Sequence, residues 1–291
     1  MISPVDELVH SAQNGDRAAL EALMSEAVPQ LLRYTRRMCR GDHADAEDVV
    51  QDTLLTATRQ IHAFRGESSF SSWLYAIARS SCSRRHRRAL DKSGVMVAMG
   101  DGQGTGSGSE DRLFASEEPG PESELSRRET ARMLDDALAT LDEAAREVLV
   151  LRDVEGLTAP EVSHVLGISQ EAVKSRLHRA RAALRAALEP AVAVAVGAAN
   201  GDAALCGHIA QAFSANLEGD LSAVDCAAME SHLRTCKRCE VACASLKRTL
   251  RRCQVVGAEG REVPPAVQAL VRRALTEAGV RAPSVPPPPA R

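Results

Sequence analysis

A histidine and two cysteines near the C-terminus have the spacing of ligands for a thiophilic metal ion. His232 is followed by Cys236 and Cys239, which gives the pattern His-x3-Cys-x2-Cys in MESHLRTCKRCEVAC. Imidazole nitrogen and thiolate sulfur are usual ligands of tetrahedral zinc. The spacing therefore predicts a zinc site in this segment.

The fourth ligand is expected from another segment. On one uninterrupted helix Cys243 would lie about 16 Å from His232, at about 1.5 Å per residue. Zinc bonds of about 2.0 to 2.3 Å cannot gather both ends. Cys206 is the first candidate and His208 the alternative. The remaining cysteines of this part, Cys226, Cys243 and Cys253, are expected to be buried as small apolar side chains, with Cys243 close enough to be a resolving thiol.

The segment LTAPEVSHVLGISQEAVKSRLHRARAAL contains the turn of a helix-turn-helix. Thr158 and Glu161 have the spacing of a capping box, and Gly167 supplies the left-handed residue that ends the first helix. Ser169 caps the second helix, which in this motif enters the major groove of duplex DNA. The inner face is predicted to comprise Val162, Val165, Leu166, Val173 and Leu177.

The second helix of this motif carries charge of one sign, with no acidic residue from Ala172 to Leu188. Its basic residues are Lys174, Arg176, Arg179, Arg181 and Arg185. Contact with DNA phosphates explains such a helix better than self-repelling charges in solvent. A solvated basic helix is the alternative.

Two further patches lie in the first third of the chain. In GDHADAEDVVQD, Asp45, Asp48 and Asp52 share one helical face and Val50 points away, which predicts a docking surface for a basic partner. An ordinary solvated acidic face is the alternative.

The next segment, FRGESSFSSWLYAIARSSCSRRHRR, interleaves arginines with Phe64, Phe70, Trp73 and Tyr75. Rings beside a basic stripe suit single-stranded nucleic acid, whereas burial of Trp73 and Ile77 in the core is the alternative.

The elements that position these residues are predicted to be helices. Aromatic residues make up only 2% of the 291 residues, and the chain is rich in strong helix formers, so we expect an all-α fold. The longest apolar run, Ala191 to Ala199, is far shorter than the roughly 20 residues that span a bilayer. The N-terminal segment lacks a basic start followed by an apolar core, so we expect a cytoplasmic protein.

Together the motifs resemble the extracytoplasmic-function (ECF) group of bacterial RNA polymerase sigma factors. The resemblance rests on DAEDVVQDTLLTA, FRGESSFSSWLYAIARSSC and LDEAAREVLVLRDVEGLTAPEVSHVLGISQEAVKSRLHRARAALR, which with the intervening linker span roughly residues 6–188. It implies a protein that is not an enzyme. Such a protein binds core RNA polymerase, recognises −35 and −10 promoter elements and initiates transcription.

The resemblance also implies roles for individual residues. Region 2 would dock on the clamp helices of the polymerase β′ subunit through Asp45, Asp48, Gln51 and Asp52. It would bind the −10 element through Arg65, Ser68, Phe70, Trp73, Arg79, Arg84 and Arg85. Region 4 would read the −35 element through Ser169, Gln170, Glu171, Lys174, Ser175, Arg176 and Arg179.

The segment CGHIAQAFSANLEGDLSAVDCAAMESHLRTCKRCEVA resembles a zinc-binding anti-sigma domain, whose pattern is Cys…His-x3-Cys-x2-Cys. This likeness implies that Cys206, His232, Cys236 and Cys239 hold Zn²⁺. In that family the domain binds and occludes a sigma factor, so the likeness also implies an intramolecular anti-sigma-like domain. Such a domain would alter access to DNA or to core polymerase according to metal or redox state.

The predicted organisation is therefore two small helical sigma domains, a flexible linker and a small helical zinc-binding module. Its boundaries are 6–88 for region 2, 89–126 for the linker, 127–188 for region 4, 189–203 for a second linker, 204–253 for the Cys-rich module, and 254–291 for a short helix (265–278) and a disordered Pro-rich tail. Two alternatives remain open: a stand-alone metal- or redox-responsive helix-turn-helix repressor, and a constitutive sigma factor with a purely structural zinc module.

Overall fold

A computed structural model describes residues 4–39, 43–93, 121–188, 203–258 and 265–277. Within these ranges the chain is helical and contains no strand, so the predicted all-α fold is confirmed. The residues form two compact units, one built from 1–117 with 260–291 and the other from 118–259. In the described ranges, none of the helices combines the length and apolar character needed to cross a bilayer.

Five helices and a 3-10 turn make up the described part of the first unit. They are α1 (Pro4–Gln13), α2 (Arg17–Met38), α3 (His43–Gln60), the turn Ile61–Ala63, α4 (Phe70–Ser93) and α12 (Pro265–Glu277). The side chain of Asp16 caps α2 by accepting from the N–H groups of Ala18 and Ala19. Leu20, Leu23 and Leu31 recur at helical spacing on α2, and these three residues are buried in the core together with Val50 of α3. Helix α12 packs against α2 and α3 of this unit.

The described part of the second unit contains seven helices and one turn of π-helix. They are α5 (Pro121–Ala139), α6 (Glu143–Leu149), the π turn Val150–Val154, α7 (Ala159–Leu166), α8 (Gln170–Leu188), α9 (Ala203–Leu217), α10 (Ala223–Thr235) and α11 (Lys237–Ala258). Buried Arg146 ties the end of α5 to α6 by donating to the carbonyls of Leu138 and Leu141 at 3.0 and 2.9 Å. Helix α11 packs against α5, the π turn and α8, and α9 packs against α8.

The Cys-rich module therefore belongs to the same compact unit as the helix-turn-helix, although the sequence suggested a separately tethered module. A small apolar core holds the module together; it comprises Ile209, Ala212, Phe213, Met229, Cys239 and Cys243. Linker prediction relies on composition, which contains no information about which helical faces meet.

Helices extend into both ends of the predicted first linker. Helix α4 continues to Ser93 and α5 begins at Pro121, with proline in the first helical turn where its missing N–H has no effect. Most of the predicted linker, residues 94–120, lies outside the described residues, as do the second linker from 189 to 202 and the Pro-rich tail from 278. The predicted terminal helix is present as α12.

Candidate functional site

The helix-turn-helix is formed by α7 and α8, as the sequence predicts. At the start of α7 the N–H of Glu161 donates to Thr158 Oγ1 over 3.4 Å, and the N–H of Thr158 donates to Glu161 Oε2 over 2.8 Å. Gly167 ends α7 with φ 65° and ψ 35°, a left-handed conformation that favours glycine. The hydroxyl of Ser169 accepts from the N–H of Ala172 and caps α8. The five predicted inner-face residues are all buried: Val162, Val165, Leu166, Val173 and Leu177.

Helix α8 presents most of the predicted −35 contacts to solvent. Exposed residues among them are Ser169, Gln170, Glu171, Ser175 and Arg179, and Arg176 is half-buried. Lys174 is an exception, because its Nζ lies 2.8 Å from Asp220 Oδ2 of the Cys-rich module. The hydrogen bond with Asp220 raises the pKa of Lys174. One predicted DNA contact is therefore paired with a carboxylate of the same chain.

Arg181 is not available to DNA phosphates in this structure, so the prediction is wrong for this arginine. Its side chain is only 3% exposed. Its Nε and Nη2 donate to the two carboxylate oxygens of Asp153 at 2.9 and 2.6 Å. Arg181 follows the inner-face residue Leu177 by four positions, and residues at that spacing lie on the same side of a helix. The number of charges on α8 does not reveal which face each one occupies.

Glu218 of the Cys-rich module completes this buried cluster. Its Oε1 accepts from Arg181 Nη2 over 2.7 Å, and its Oε2 accepts from Arg152 Nε over 2.7 Å. Ser214 on α9 adds a longer bond to Arg181, at 3.3 Å. Glu218 and Asp220 flank Gly219, whose φ is 75°, in the turn between α9 and α10. This acidic turn, residues 218–220, holds the module against α8.

The buried charges of Asp153, Arg181 and Glu218 are stabilised by their pairing with one another. Burial raises the pKa of Asp153, and the hydrogen bonds and charge of Arg181 oppose that rise. Carboxylates and guanidinium groups removed from water are costly to leave without a partner. The cluster therefore makes the docking of the module sensitive to the loss of any single member.

The candidate metal ligands meet where α10 gives way to α11. His232 lies in the last turn of α10, Cys236 caps it in an extended conformation, and Cys239 lies in the first turn of α11. This break in the helix brings the ligand atoms of the three residues within 4.8 Å of one another. Tetrahedral ligands of zinc lie about 3.5 Å apart for bonds of about 2.0 to 2.3 Å, so only a small adjustment is needed.

The donor set fits a thiophilic metal ion. His232 Nε2 is buried and has no hydrogen-bond partner in the described structure, which is the condition of an imidazole nitrogen that lacks its ligand. Cys206 belongs to the first turn of α9, but its side chain lies outside the described residues. His208, the alternative fourth ligand, is exposed and does not belong to the described group of three.

The other cysteines of the module differ in their surroundings. Cys243 and Cys253 are buried as predicted, whereas Cys226 is only half-buried. Burial raises the pKa of Cys243 to about 11, although Lys247 and Arg185 act in the opposite direction. A thiol with that pKa is protonated at neutral pH and is a poor nucleophile. The role of Cys243 as a resolving thiol stays a prediction, which its burial makes less favourable.

The predicted docking surface lies on α3. Asp52 is exposed and Val50 is completely buried, as the helical spacing predicts. Asp45 and Asp48 are paired with one residue of α4, since Arg85 Nε donates to Asp45 Oδ1 at 2.5 Å and Arg85 Nη2 donates to Asp48 Oδ2 at 2.7 Å. The hydrogen bond with Asp45 raises the pKa of Arg85. The structure thus joins a predicted −10 contact to two predicted polymerase contacts.

Gln51, the fourth residue of the predicted docking surface, contacts α12. Arg273 Nη2 donates to Gln51 Oε1 at 2.5 Å, and Gln51 Nε2 donates to Glu277 Oε2 at 2.9 Å. A salt bridge between Arg273 and Glu277 at 3.7 Å holds the pair on one face of α12. The C-terminal helix therefore contacts one residue of the predicted docking surface.

Three of the four aromatic residues of the predicted −10 segment form a cluster. The ring of Trp73 lies 5.2 Å from that of Phe64 and 5.8 Å from that of Phe70. Trp73 is half-buried, whereas Phe70 is only 7% exposed and supports the other two rings rather than offering its own face. Tyr75 is a core residue that packs edge-on against Tyr34 at 5.2 Å. The expectation that all four rings could stack on bases is therefore wrong for Phe70 and Tyr75 in this structure.

The polar residues of the −10 segment lie at the surface. Arg65 and Arg84 are exposed, while Ser68 and Arg79 are half-buried. Arg84 bonds within its own helix, to Ser80 and Ser81, and does not cross to α3 as Arg85 does.

Sequence reasoning missed the residues that contact these surfaces from elsewhere in the chain. They are Asp153, Glu218, Asp220, Arg273 and Glu277. The only signal in the sequence is the pair of acidic residues around a glycine in LEGDLS, which is also typical of an ordinary surface turn.

Comparison with known proteins assigns three parts of the chain to families. The profile for Sigma-70 region 2 matches residues 23–90, the profile for Sigma-70, region 4 matches residues 131–184, and a zinc-finger profile matches residues 206–239. The RNA polymerase sigma factor NccH of Alcaligenes xylosoxydans is 33% identical over 64% of this chain and 95% of its own length. The ECF RNA polymerase sigma factor SigM of Mycobacterium tuberculosis is 32% identical over 61% of this chain and 81% of its own length. The solved structure of CnrH in complex with the cytosolic domain of CnrY matches with a TM-score of 0.44 at 28% identity, over 63% of this chain and 96% of that one.

Proposed function

This chain belongs to the ECF RNA polymerase sigma factors, and from that premise we propose that its own C-terminal part regulates it. As a sigma factor it directs core RNA polymerase to promoter DNA and initiates transcription. Membership of this family decides against the stand-alone repressor considered from the sequence. The regulation is proposed here on contacts made within each of the two units.

The acidic turn of the Cys-rich module acts against region 4. The observation that carries this proposal is the pairing of Glu218 with buried Arg181 and of Asp220 with Lys174. Lys174 belongs to the residues proposed to contact the −35 element, and its pairing with Asp220 neutralises the charge that would attract a phosphate. The turn thus presents carboxylates where DNA would present phosphates.

The C-terminal helix acts on region 2 in a parallel way. We place the contact with the polymerase β′ clamp helices on Asp45, Asp48, Gln51 and Asp52 of α3, and Arg273 and Glu277 already use the amide of Gln51. Exposed hydrogen bonds of this kind are individually weak. Helix α12 is therefore expected to compete with polymerase and not to exclude it.

The promoter contacts are proposed on surfaces that the structure leaves accessible. In region 2 they are Arg65, Ser68, Trp73, Arg79 and Arg84, with Trp73 as the stacking ring. In region 4 they are the exposed residues of the first two turns of α8 together with Arg176 and Arg179. Flipping a base from the −10 duplex costs a few kcal/mol of unstacking, which stacking and phosphate contacts offset.

The metal site keeps the acidic turn in place. We propose that His232, Cys236 and Cys239, with Cys206 as the fourth ligand, bind Zn²⁺. When bound, zinc supplies a cross-link between segments that a small core could not hold alone. Cys239 and Phe213 share one apolar core. A metal ion that fixes Cys239 would therefore also hold α9, which contains Phe213, and the acidic turn that follows α9.

Transcription in vitro tests the proposed regulation. Wild type and the variant Cys236→Ser/Cys239→Ser are each combined with core polymerase and a promoter that the factor directs, in the presence of zinc, copper or peroxide. We expect the variant to be constitutively more active and insensitive to all three additions. Equal output from both proteins under all conditions would leave a constitutive sigma factor with a structural metal module.

Charge reversal on α3 tests the docking surface. Asp48→Lys/Asp52→Lys is expected to weaken the binding of core polymerase at least about 30-fold, because like charges brought together at an interface cost several kcal/mol. Fluorescence anisotropy of the labelled chain titrated with core enzyme measures the effect. Glu7→Lys/Glu26→Lys, at exposed positions on α1 and α2, makes the same change in total charge and is the control. Equal affinities for the two variants would exclude α3 as the docking helix.

A further inference from the structure

Arg85 is distinguished from its neighbours by the helix that its side chain contacts. Arg84 and Arg87 bond to groups of their own helix, the first to Ser80 and Ser81 and the second to the carbonyl of Ser83. Arg85 instead reaches across to α3, with Nε on Asp45 and Nη2 on Asp48. Among the arginines of SRRHRR (83–88) whose side chains the structure describes, Arg85 is thus the one that bridges two acidic groups of α3.

The three groups are accessible enough to exchange partners. The side chains of Arg85, Asp45 and Asp48 are 37%, 40% and 55% exposed. Ion pairs at such exposure are weak, and a competing charge replaces either partner at little cost. A buried pair such as Arg181 with Asp153 cannot exchange partners so easily, because either group would be left buried without its counter-charge.

The two sides of the bridge belong to different proposed interfaces. The aspartates face the proposed polymerase contact, whereas Arg85 belongs to the basic run proposed to face the −10 strand. In the chain without polymerase, Arg85 of the proposed DNA interface therefore neutralises carboxylates of the proposed polymerase interface, and those carboxylates neutralise Arg85. A basic side chain on the polymerase would take over the two carboxylates and leave the guanidinium without its partners.

We propose that Arg85 couples the two interfaces: it occupies Asp45 and Asp48 in the chain alone, and polymerase binding releases it to a phosphate of single-stranded promoter DNA. The proposal rests on the proposed docking surface and adds an order of events to it. A sigma factor built in this way binds −10 DNA more weakly alone than on polymerase. The released residue is a positioning and phosphate-binding group, and base recognition remains with Trp73.

The test removes the carboxylates and so mimics release without polymerase. Asp45→Asn/Asp48→Asn in the full chain is titrated against a fluorescein-labelled single-stranded DNA of mixed sequence, with no polymerase present. We expect about fivefold tighter binding, the range that two exposed ion pairs allow. We also expect the slope of log K against log salt to steepen by about 0.7, the value for one more phosphate contact on a single strand.

Two further variants decide whether Arg85 causes the effect. Adding Arg85→Gln to the double variant is expected to abolish the gain and the steeper slope. Glu26→Gln/Glu47→Gln is the control, because it removes two negative charges from the same unit and leaves the partners of Arg85 in place. The DNA affinity of Asp45→Asn/Asp48→Asn is compared with the DNA affinity of this control. If the gain persists without Arg85, or if the control shows the same gain, the coupling is wrong. The coupling is also wrong if Asp45→Asn/Asp48→Asn binds the single-stranded DNA no more tightly than wild type. If the double variant melts at a lower temperature than wild type, Asp48→Asn alone is titrated in its place.

Failure of the coupling is distinguishable from failure of the docking surface. The same Asp45→Asn/Asp48→Asn protein is titrated with core polymerase in a separate experiment. Undiminished polymerase affinity contradicts the docking surface, whereas weakened polymerase binding without a change in DNA affinity contradicts only the release of Arg85.

Discussion

Glu218→Gln is expected to free α8 from the Cys-rich module and to raise the affinity of the chain for duplex DNA. Glu218 is 5% exposed and accepts hydrogen bonds from both Arg181 and Arg152 at 2.7 Å. Breaking a buried ion pair by removing one partner costs about 3 kcal/mol or more, which is roughly 100-fold in the ratio of docked to undocked module. Once undocked, Lys174 exchanges Asp220 for a DNA phosphate.

Two measurements check this result. Anisotropy with a labelled duplex at fixed salt reports the affinity, and hydrogen exchange reports whether the amides of 170–188 and 215–221 lose protection together. Glu240→Gln is the matched control, because Glu240 is also a glutamate of the module but pairs with Lys237 on the surface. An exposed pair of that kind contributes between about 0 and 1 kcal/mol. If both variants bind duplex DNA as wild type does, the acidic turn does not restrain α8.

His232→Ala is expected to remove the metal from the chain and to unfold the Cys-rich module. Structural zinc sites contribute apparent binding free energies of about 10 to 16 kcal/mol in zinc-finger peptides. That exceeds the stability that a small apolar core supplies by itself. We expect about one zinc per chain in wild type and none in the variant. Elemental analysis after gel filtration gives the stoichiometry, and circular dichroism gives the loss of helix from α9 to α11.

His208→Ala is the control for this prediction, since His208 is an exposed histidine on α9 of the same module. It should keep its zinc and its melting temperature. Cys206→Ser is expected to behave as His232→Ala does if Cys206 is the fourth ligand. Zinc retained by His232→Ala but lost from His208→Ala would mean that the ligand set has been assigned to the wrong histidine.

Local patterns in the sequence determined the helices and the two motifs. The spacing of Leu20, Leu23 and Leu31 encodes the buried face of α2. Thr158, Glu161 and Gly167 encode the ends of α7. The ligand pattern from His232 to Cys239 is likewise local, because a helix that ends at Thr235 brings residues so near in sequence into one site. Capping hydrogen bonds, helical periodicity and closely spaced ligands join residues only a few positions apart. They can therefore be predicted from the local sequence without knowing the rest of the chain.

Tertiary structure alone decided which charged residues are accessible and which are already paired. Arg181 and Arg179 are both arginines of α8, yet one is buried against Asp153 and Glu218 and the other faces solvent. Arg85 and Gln51 belong to predicted interfaces, yet their partners come from another helix and from the far end of the chain. A charge carries no local signal of its partner, because Coulomb attraction depends on distance in space and on burial, and both arise only when distant helices pack together.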